Sequence, residues 1–69
     1  MDNFFQELDY IKCSRAKCTN EAEYVIYWNN PKVHTPDRRK EWTSCEVHKK
    51  FFENYLSVRN FYIETLPLE

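Results

Sequence analysis

Two short stretches decide the fold: Cys-Ser-Arg-Ala-Lys-Cys at 13–18 and Cys-Glu-Val-His at 45–48. Four side chains in them, Cys13, Cys18, Cys45 and His48, form two closely spaced pairs that are separated by 26 residues. Such pairs let each chain segment donate two ligands to one tetrahedral ion. All three cysteines of the chain belong to this arrangement. The sequence therefore predicts one structural Zn²⁺ ion, with an iron–sulfur centre and simple buried cysteines as less favoured alternatives.

The length of the chain explains why such a centre is expected. A core built from 69 residues supplies only about 3–5 kcal/mol, so a domain of this size usually needs an added constraint. Disulfides cannot pair every cysteine, because their number, three, is odd.

The composition predicts a soluble cytoplasmic protein that is not inserted in a membrane. Residues 1–7 lack a basic leader and a long apolar stretch, and no apolar run approaches the roughly 18 residues that span a bilayer.

The formal net charge is −1, although residues 12–50 carry nine Lys or Arg against five Asp or Glu. This mild excess does not by itself predict nucleic-acid binding, since dedicated binders show a strongly basic patch.

The segment between the two ligand pairs has the pattern of a β-hairpin. Residues 21–28 are rich in β-branched and aromatic side chains, which predicts a strand. Asn29-Asn30-Pro31 ends this strand, and a polar connection follows. Residues 39–44 predict the returning strand, with Trp42 as its anchor.

A helix is predicted to begin at Cys45, with Ser44 or Thr43 as its N-cap and Glu46 in its first turn. Apolar residues at helical spacing continue to Val58, and residues 61–66 predict a last short strand. The order of loop pair, hairpin and helix-borne pair predicts a small α+β, treble-clef-like zinc domain. It would form a single domain over 1–69, with an N-terminal extension at 1–11, the zinc module at 13–60 and a C-terminal strand and tail at 61–69.

Glycine is absent from the chain, where average usage predicts about five. Backbone positions with positive φ must therefore fall to asparagine, the next most tolerant residue. Four asparagines between apolar segments are the candidates: Asn20, Asn29, Asn30 and Asn60.

His34 is the competing fourth ligand, but it has no second ligand near it in the sequence. A solvent-facing loop residue is the favoured interpretation. A zinc ion with three protein ligands and a water would allow hydrolysis, whereas four available ligands favour a closed, structural site. The sequence contains no glycine-rich phosphate loop and no Ser–His–Asp arrangement. The protein is therefore predicted not to be an enzyme.

The connection between the two strands carries the most interesting remaining surface. With Trp28 and Trp42 at its bases, it combines cations and aromatic rings, as nucleic-acid binders do. The favoured interpretation is that the tryptophans pair across the hairpin as core. A non-enzymatic adaptor that binds a protein partner through 29–40 is the leading functional prediction. A nucleic-acid-binding zinc finger that uses the same loop is the alternative.

Two motifs carry a resemblance: Trp-Asn-Asn-Pro-Lys-x-His-x-Pro-Asp-Arg-Arg-Lys-x-Trp at 28–42 and Cys-x2-His at 45–48. From Cys13 to about Phe61, roughly two-thirds of its length, the chain resembles a group of short actinobacterial zinc-binding proteins. Members are often labelled acetone carboxylase, which makes an accessory subunit of a carboxylase a third prediction. The resemblance implies a small zinc protein with a candidate interaction surface, which Lys40 extends: Asn30, Pro31, Lys32, His34, Pro36, Arg38 and Arg39.

Overall fold

The computed structural model describes residues 10–68. In chain order it contains strand β1 (Tyr24–Trp28), strand β2 (Lys40–Ser44), helix α1 (Lys49–Val58) and strand β3 (Tyr62–Pro67). The strands form one antiparallel sheet in the order β2-β1-β3. The predicted α+β class, a hairpin followed by one helix and a last strand, is confirmed. Most of the predicted N-terminal extension lies outside the described residues.

β1 is the central strand because its side chains are buried on both faces of the sheet. Ile26 is fully buried and Val25 is nearly so, and neighbouring side chains of a strand lie on opposite faces. Ile26 lies opposite Trp42 of β2 and Thr65 of β3. The apolar, β-branched sequence of this strand therefore agrees with its place between two neighbours.

The ladder of β1 begins at Tyr24, three residues later than the predicted start at Glu21. Glu21 makes only an isolated bridge with Lys12, and the Ala22 N–H donates to the Ile11 carbonyl. Residues 21–23 therefore start by pairing with residues 11 and 12, which lead into the first ligand loop. Residues 11 and 12 do not continue as a strand of the sheet, because the chain turns from there toward the ligands. β2 and β3 each begin one residue later than predicted.

α1 begins at Lys49, four residues after the predicted start at Cys45. Ser44 is no N-cap, because it ends β2, is fully buried and donates its hydroxyl to the Cys45 carbonyl. Residues 46–48 instead form a turn in which the backbone N–H groups of Val47 and His48 donate to the Cys45 sulfur. His48 occupies the N-cap position without a side-chain bond to the helix, since its ring faces the thiols.

Thr43 and Glu46 do not have their predicted roles at the start of a helix. Thr43 lies within β2. Glu46 precedes α1 and accepts a hydrogen bond of 2.6 Å from the Tyr24 hydroxyl. Glu46 therefore connects the turn between the ligands to β1.

The end of α1 agrees with the sequence. Asn60 has a φ of 61°, as predicted for a residue that replaces glycine after a helix. The N–H groups of Asn60 and Phe61 donate to the carbonyls of Ser57 and Leu56, which is the Schellman arrangement. The other three asparagine candidates do not have positive φ, and Lys17 does, with a φ of 68°.

The hydrophobic core and the candidate ligands form one continuous cluster. Cys13, Cys45, Ile26, Phe52 and Leu56 are buried and pack together, with Phe52 and Leu56 coming from the inner side of α1. Partly buried side chains surround them: Cys18, Trp28, Trp42, Phe61 and Tyr62. A metal ion that binds these cysteines would therefore also stabilise the core.

The two tryptophans belong to this core, as predicted. The ring centroids of Trp28 and Trp42 are 4.9 Å apart, and Trp42 continues the aromatic contacts to Phe52 at 5.3 Å. Offset aromatic contacts of this kind are favourable beyond the area they bury. In residues 10–68, no helix has the length and apolar character needed to cross a membrane.

Candidate metal centre

The structure brings the four predicted ligands together. The Sγ atoms of Cys13, Cys18 and Cys45 and a ring nitrogen of His48 all lie within 4.8 Å of one another. Cys13 and Cys45 are buried, whereas Cys18 and His48 are half-buried. All three cysteines are free thiols. Four side chains from two distant chain segments thus converge on a volume that one metal ion can occupy.

Three of the distances between ligand atoms are close to those of a tetrahedral site. Bond lengths of about 2.3 Å to sulfur and about 2.0 Å to nitrogen place two sulfurs about 3.8 Å apart, and a sulfur and a nitrogen about 3.5 Å apart. Cys18 Sγ and Cys45 Sγ are 4.0 Å apart. His48 Nδ1 lies 3.3 Å from Cys45 Sγ and 3.7 Å from Cys13 Sγ. His48 therefore offers Nδ1 as its ligand atom.

The first ligand pair sits on a tight loop, as the sequence predicted. The Cys18 N–H donates to the Arg15 carbonyl at 3.0 Å, and the Cys13 N–H donates to the Asn20 carbonyl at 3.0 Å. Lys17 adopts the left-handed φ that reverses the chain between the two cysteines. A residue with a Cβ is disfavoured in this conformation, so the contacts around the loop must hold it in place.

The second ligand pair spans the end of β2 and the turn before α1. Ser14, in the first loop, donates its N–H to the Thr43 carbonyl at 2.9 Å, and its hydroxyl accepts the Thr43 N–H at 3.0 Å. These bonds attach the first loop to β2 next to Cys45. The edge strand β2 thereby holds the first ligand pair next to the second through hydrogen bonds that involve no metal ion.

The protein groups around Cys18 and Cys45 shift the pKa values of these two thiols in opposite directions. Burial raises the pKa of Cys45, but hydrogen bonds from the Asn20 side chain and from backbone N–H groups outweigh it and lower this pKa to about 6. An Asn20 backbone hydrogen bond favours the Cys18 thiolate, but burial and the neighbouring Cys13 and Cys45 sulfurs raise the pKa of Cys18. Several adjacent thiolates repel one another. A divalent cation removes this conflict because it stabilises all of them at once.

When both chains are loaded with zinc, Asn20→Ala is expected to release the ion at a higher pH than the wild type does. The Asn20 Nδ2 group donates to Cys45 Sγ at 3.5 Å and so favours the thiolate, which is present above its lowered pKa and lost as the pH falls through it. Without this donor the pKa of Cys45 rises, and protons compete more strongly with the metal. Losing an outer partner of a metal ligand commonly weakens binding by about 10–100-fold.

A chromogenic zinc indicator measures this release as the pH is lowered from about 7 to about 4. Thr19→Ala is the matched control, because Thr19 is the exposed neighbour of Asn20. We expect its release midpoint to equal that of the wild type. An unchanged midpoint for Asn20→Ala would contradict the role of the amide.

Comparisons of the chain with protein-family models, with curated proteins and with solved structures found no match. The resemblance to short actinobacterial zinc-binding proteins, and the carboxylase label that accompanies it, stay predictions.

His34 lies outside the ligand cluster, but the prediction that it faces solvent is wrong, because it is half-buried. Its Nδ1 accepts the Asn30 N–H at 2.9 Å, and its own N–H donates to the Asn30 carbonyl at 2.8 Å. Its ring lies edge-on to Trp28 at a centroid distance of 5.6 Å. The spacing of four residues closes a turn, and this turn carries the imidazole back onto the core.

The residues of the predicted interaction surface fall into two groups. Asn30, His34 and Arg39 are used within the chain: Asn30 Oδ1 accepts the N–H of a neighbouring residue, and the Arg39 guanidinium stacks 4.3 Å from the Tyr27 ring centroid and binds Glu64. The other exposed members are Pro31, Lys32, Pro36 and Arg38. Lys40 is half-buried at the start of β2.

Two asparagines have roles that the sequence did not predict. Asn29 Nδ2 donates to the Thr35 carbonyl at 2.9 Å and to the Arg38 carbonyl at 2.7 Å, and so braces the connection between the strands. Asn20 donates to Cys45. The available signal was the residue type alone, since asparagine side chains commonly bond backbone groups in turns. Their partners lie too far along the chain to be identified from spacing.

Proposed function

We propose that this protein is a small, non-enzymatic interaction module whose fold is held by one structural Zn²⁺ ion. The observation that carries this proposal is the compact Cys3His set, whose ligand atoms lie within 4.8 Å of one another. Thiolates and imidazole favour zinc, whereas Mg²⁺ and Ca²⁺ prefer oxygen ligands. Loop, hairpin and helix around two ligand pairs correspond to a treble-clef-like zinc domain.

The proposed zinc is structural because four protein ligands complete a tetrahedral coordination shell. A catalytic zinc keeps one position for water or substrate. The relative exposure of Cys13 is 0% and that of Cys45 is 2%, and both pack with the core. The metal then cross-links the first loop to the end of β2 and the start of α1, and such a cross-link stabilises a domain whose core is small.

Substitution of the metal by Co²⁺ tests whether the site is closed. We expect the intense absorption bands of a tetrahedral, thiolate-bound Co²⁺ ion, and we expect them to stay unchanged when azide is added. A site with a free position would bind azide and shift these bands. Such a shift would contradict a structural site and favour a catalytic one.

We further propose that the connection formed by 29–40 contacts a protein partner. Lys32, Val33 and Arg38 are exposed, with Val33 at 72%, so an apolar side chain lies among cations. Hydrogen bonds that the side chains of Asn29 and His34 make with backbone groups hold the connection that carries these three residues. A loop that is already ordered loses less conformational entropy when it binds.

Affinity purification from the native cell, with zinc-loaded wild type as reference, tests this contact. The double variant Lys32→Ala/Arg38→Ala is expected to lose the partner. Lys50→Ala, which removes one exposed cation from α1, is expected to keep it. An unchanged partner set for the double variant would count against the proposal. Sensitivity of the complex to nuclease, with affinity falling steeply with salt, would favour the nucleic-acid alternative.

A further inference from the structure

Within residues 10–68, helix α1 has an outer face whose apolar side chains stay exposed. Phe51, Tyr55 and Val58 follow one another at spacings of four and three residues, so they share one side of the helix. They are 44%, 42% and 80% exposed, while Phe52 and Leu56 pack on the sheet from the inner side. We call Phe51, Tyr55 and Val58 the outer stripe. Contiguous apolar surface of this kind commonly marks an interaction site.

Each aromatic ring of the outer stripe has an arginine stacked on it. The Arg15 Cζ atom lies 3.9 Å from the Phe51 ring centroid, and the Arg59 Cζ atom lies 3.7 Å from the Tyr55 ring centroid. Arg59 also donates through Nη1 to the Tyr55 carbonyl at 2.9 Å. Stacking orders a guanidinium and leaves in-plane N–H groups available for carboxylates. The apolar stripe is therefore bordered by two pre-positioned cations.

Glu46 and Glu53 lie at or beside α1, and both accept hydrogen bonds from the sheet and not from the two arginines. Glu53, the single acidic residue of the helix, accepts a hydrogen bond from Thr65 of β3. Glu46 accepts one from β1. Within residues 10–68, the salt bridge that the structure contains is Arg39–Glu64, at the opposite face of the sheet. Within the part of the chain that the structure describes, neither Arg15 nor Arg59 forms a salt bridge, so the outer stripe combines apolar surface with positive charge.

We infer that the outer stripe, together with Arg15 and Arg59, docks an acidic amphipathic helix of a partner protein. The two aromatic rings that carry the arginines are one turn apart, about 6 Å along the axis of α1. Carboxylates at positions i and i+4 of a partner helix repeat at the same spacing. Apolar side chains on that side of the partner would cover Phe51 and Val58, in the manner of a helix packed on an apolar surface. Charge complementarity and apolar burial thus select the same ligand.

Two observations favour an acidic protein segment over a nucleic acid at this face. Val58 is an aliphatic side chain that is 80% exposed; another apolar side chain covers it well, and a phosphate backbone does not. The chain has a net charge of −1 and a sequence pI of about 6.1. Nucleic-acid-binding domains usually have a high pI and a larger basic surface.

The outer stripe is separate from the connection formed by 29–40, because its residues belong to α1 and the two arginines beside it come from the first ligand loop and from the end of α1. The inference rests on the proposed function only through the zinc-held fold, since Arg15 lies between Cys13 and Cys18. Zinc content is therefore measured for every variant. A variant that loses zinc reports on the metal centre, and a variant that keeps zinc reports on the surface.

The test uses the full zinc-loaded chain and two synthetic fluorescein-labelled helical peptides. One peptide has a leucine face bordered by Glu at positions i and i+4; the other has Lys at the same positions. Fluorescence anisotropy is expected to show that the acidic peptide binds at least about tenfold more tightly than the basic one. Backbone amide NMR shifts on binding are expected to centre on residues 51, 55 and 58.

Two variants keep the test independent of folding defects. Arg15→Gln/Arg59→Gln is expected to weaken binding of the acidic peptide by about tenfold, because the charges complement its carboxylates. Val58→Glu, at a site that is 80% exposed, is expected to weaken it similarly through repulsion. Lys32→Gln/Arg38→Gln removes the same number of charges from the connection between the strands and is expected to bind normally.

Several results would overturn the inference. They are equal affinity for the two peptides, shifts that centre away from the outer stripe, and normal binding by zinc-loaded Arg15→Gln/Arg59→Gln and Val58→Glu. A single-stranded oligonucleotide that binds the outer stripe more tightly than the acidic peptide would also overturn it.

Discussion

Replacing Cys45 with alanine is expected to leave the chain largely unfolded and without zinc at neutral pH. Structural zinc in small domains contributes about 10–16 kcal/mol in apparent binding free energy, whereas a core of this size supplies only about 3–5 kcal/mol. Cys45 is 2% exposed, contacts Cys18 and His48, and belongs to the hydrophobic core. Its loss removes a ligand and a buried side chain at once.

Far-UV circular dichroism and elemental zinc analysis measure this effect. His48→Ala is expected to behave in the same direction, and the chain offers a matched control in its second histidine. His34→Ala leaves all four ligands in place and is expected to keep one zinc ion per chain. A Cys45→Ala protein with wild-type circular dichroism and one bound zinc would contradict the assignment.

Removing the metal from the intact chain is expected to unfold it reversibly. An excess of chelator with a thiol reductant takes up zinc without allowing disulfides to form. Because Trp28 and Trp42 pack against the cluster that contains Cys13 and Cys45, tryptophan fluorescence should shift to longer wavelength as the core opens. Restoring zinc should restore the spectrum, since binding to the folded chain stabilises it by mass action.

Magnesium and calcium are the controls for this experiment. Both ions prefer oxygen ligands, so neither should refold the metal-free chain. An unchanged melting transition after complete removal of the metal would show that the fold does not depend on it. The Cys3His set would then be a cluster of buried thiols and one imidazole, and the proposed role of zinc would fail.

The candidate metal ligands lie within the hydrophobic core, so a bound metal would also influence the surfaces attached to that core. The first ligand loop carries Arg15, which stacks on Phe51 of α1, so a bound metal would also position the arginine beside the outer stripe. The connection formed by 29–40 is braced separately by Asn29 and His34. We therefore expect loss of zinc to affect the outer stripe more directly than that connection.

The ligand set was predictable because its signal is local and complete. Two pairs at spacings of five and three residues contain every cysteine of the chain, and such pairs need no knowledge of the fold. The hairpin and the last strand were predictable from β-branched and aromatic content. Asn60 was predictable because a helix that ends without glycine needs another residue that tolerates positive φ.

The start of α1 was not predictable from local signals. Ser44, Cys45 and Glu46 read as a good helix start, yet the Cys45 sulfur takes up backbone N–H groups of the following turn and delays the helix to Lys49. Lys17 likewise takes the positive φ that asparagine was expected to supply. In both places the geometry of the ligand cluster overrides the residue preference.

By itself, the sequence determined which residues can bind a metal and in what order the strands and the helix follow, because both depend on spacing and on side-chain type over a few neighbours. Tertiary structure alone decided that Asn20 reaches Cys45, that His34 supports a loop, and that Arg15 stacks on Phe51. The contacts of Asn20 and Arg15 join residues more than twenty positions apart, and that of His34 depends on how its loop folds back onto Trp28. Only the packed chain brings such groups within bonding distance.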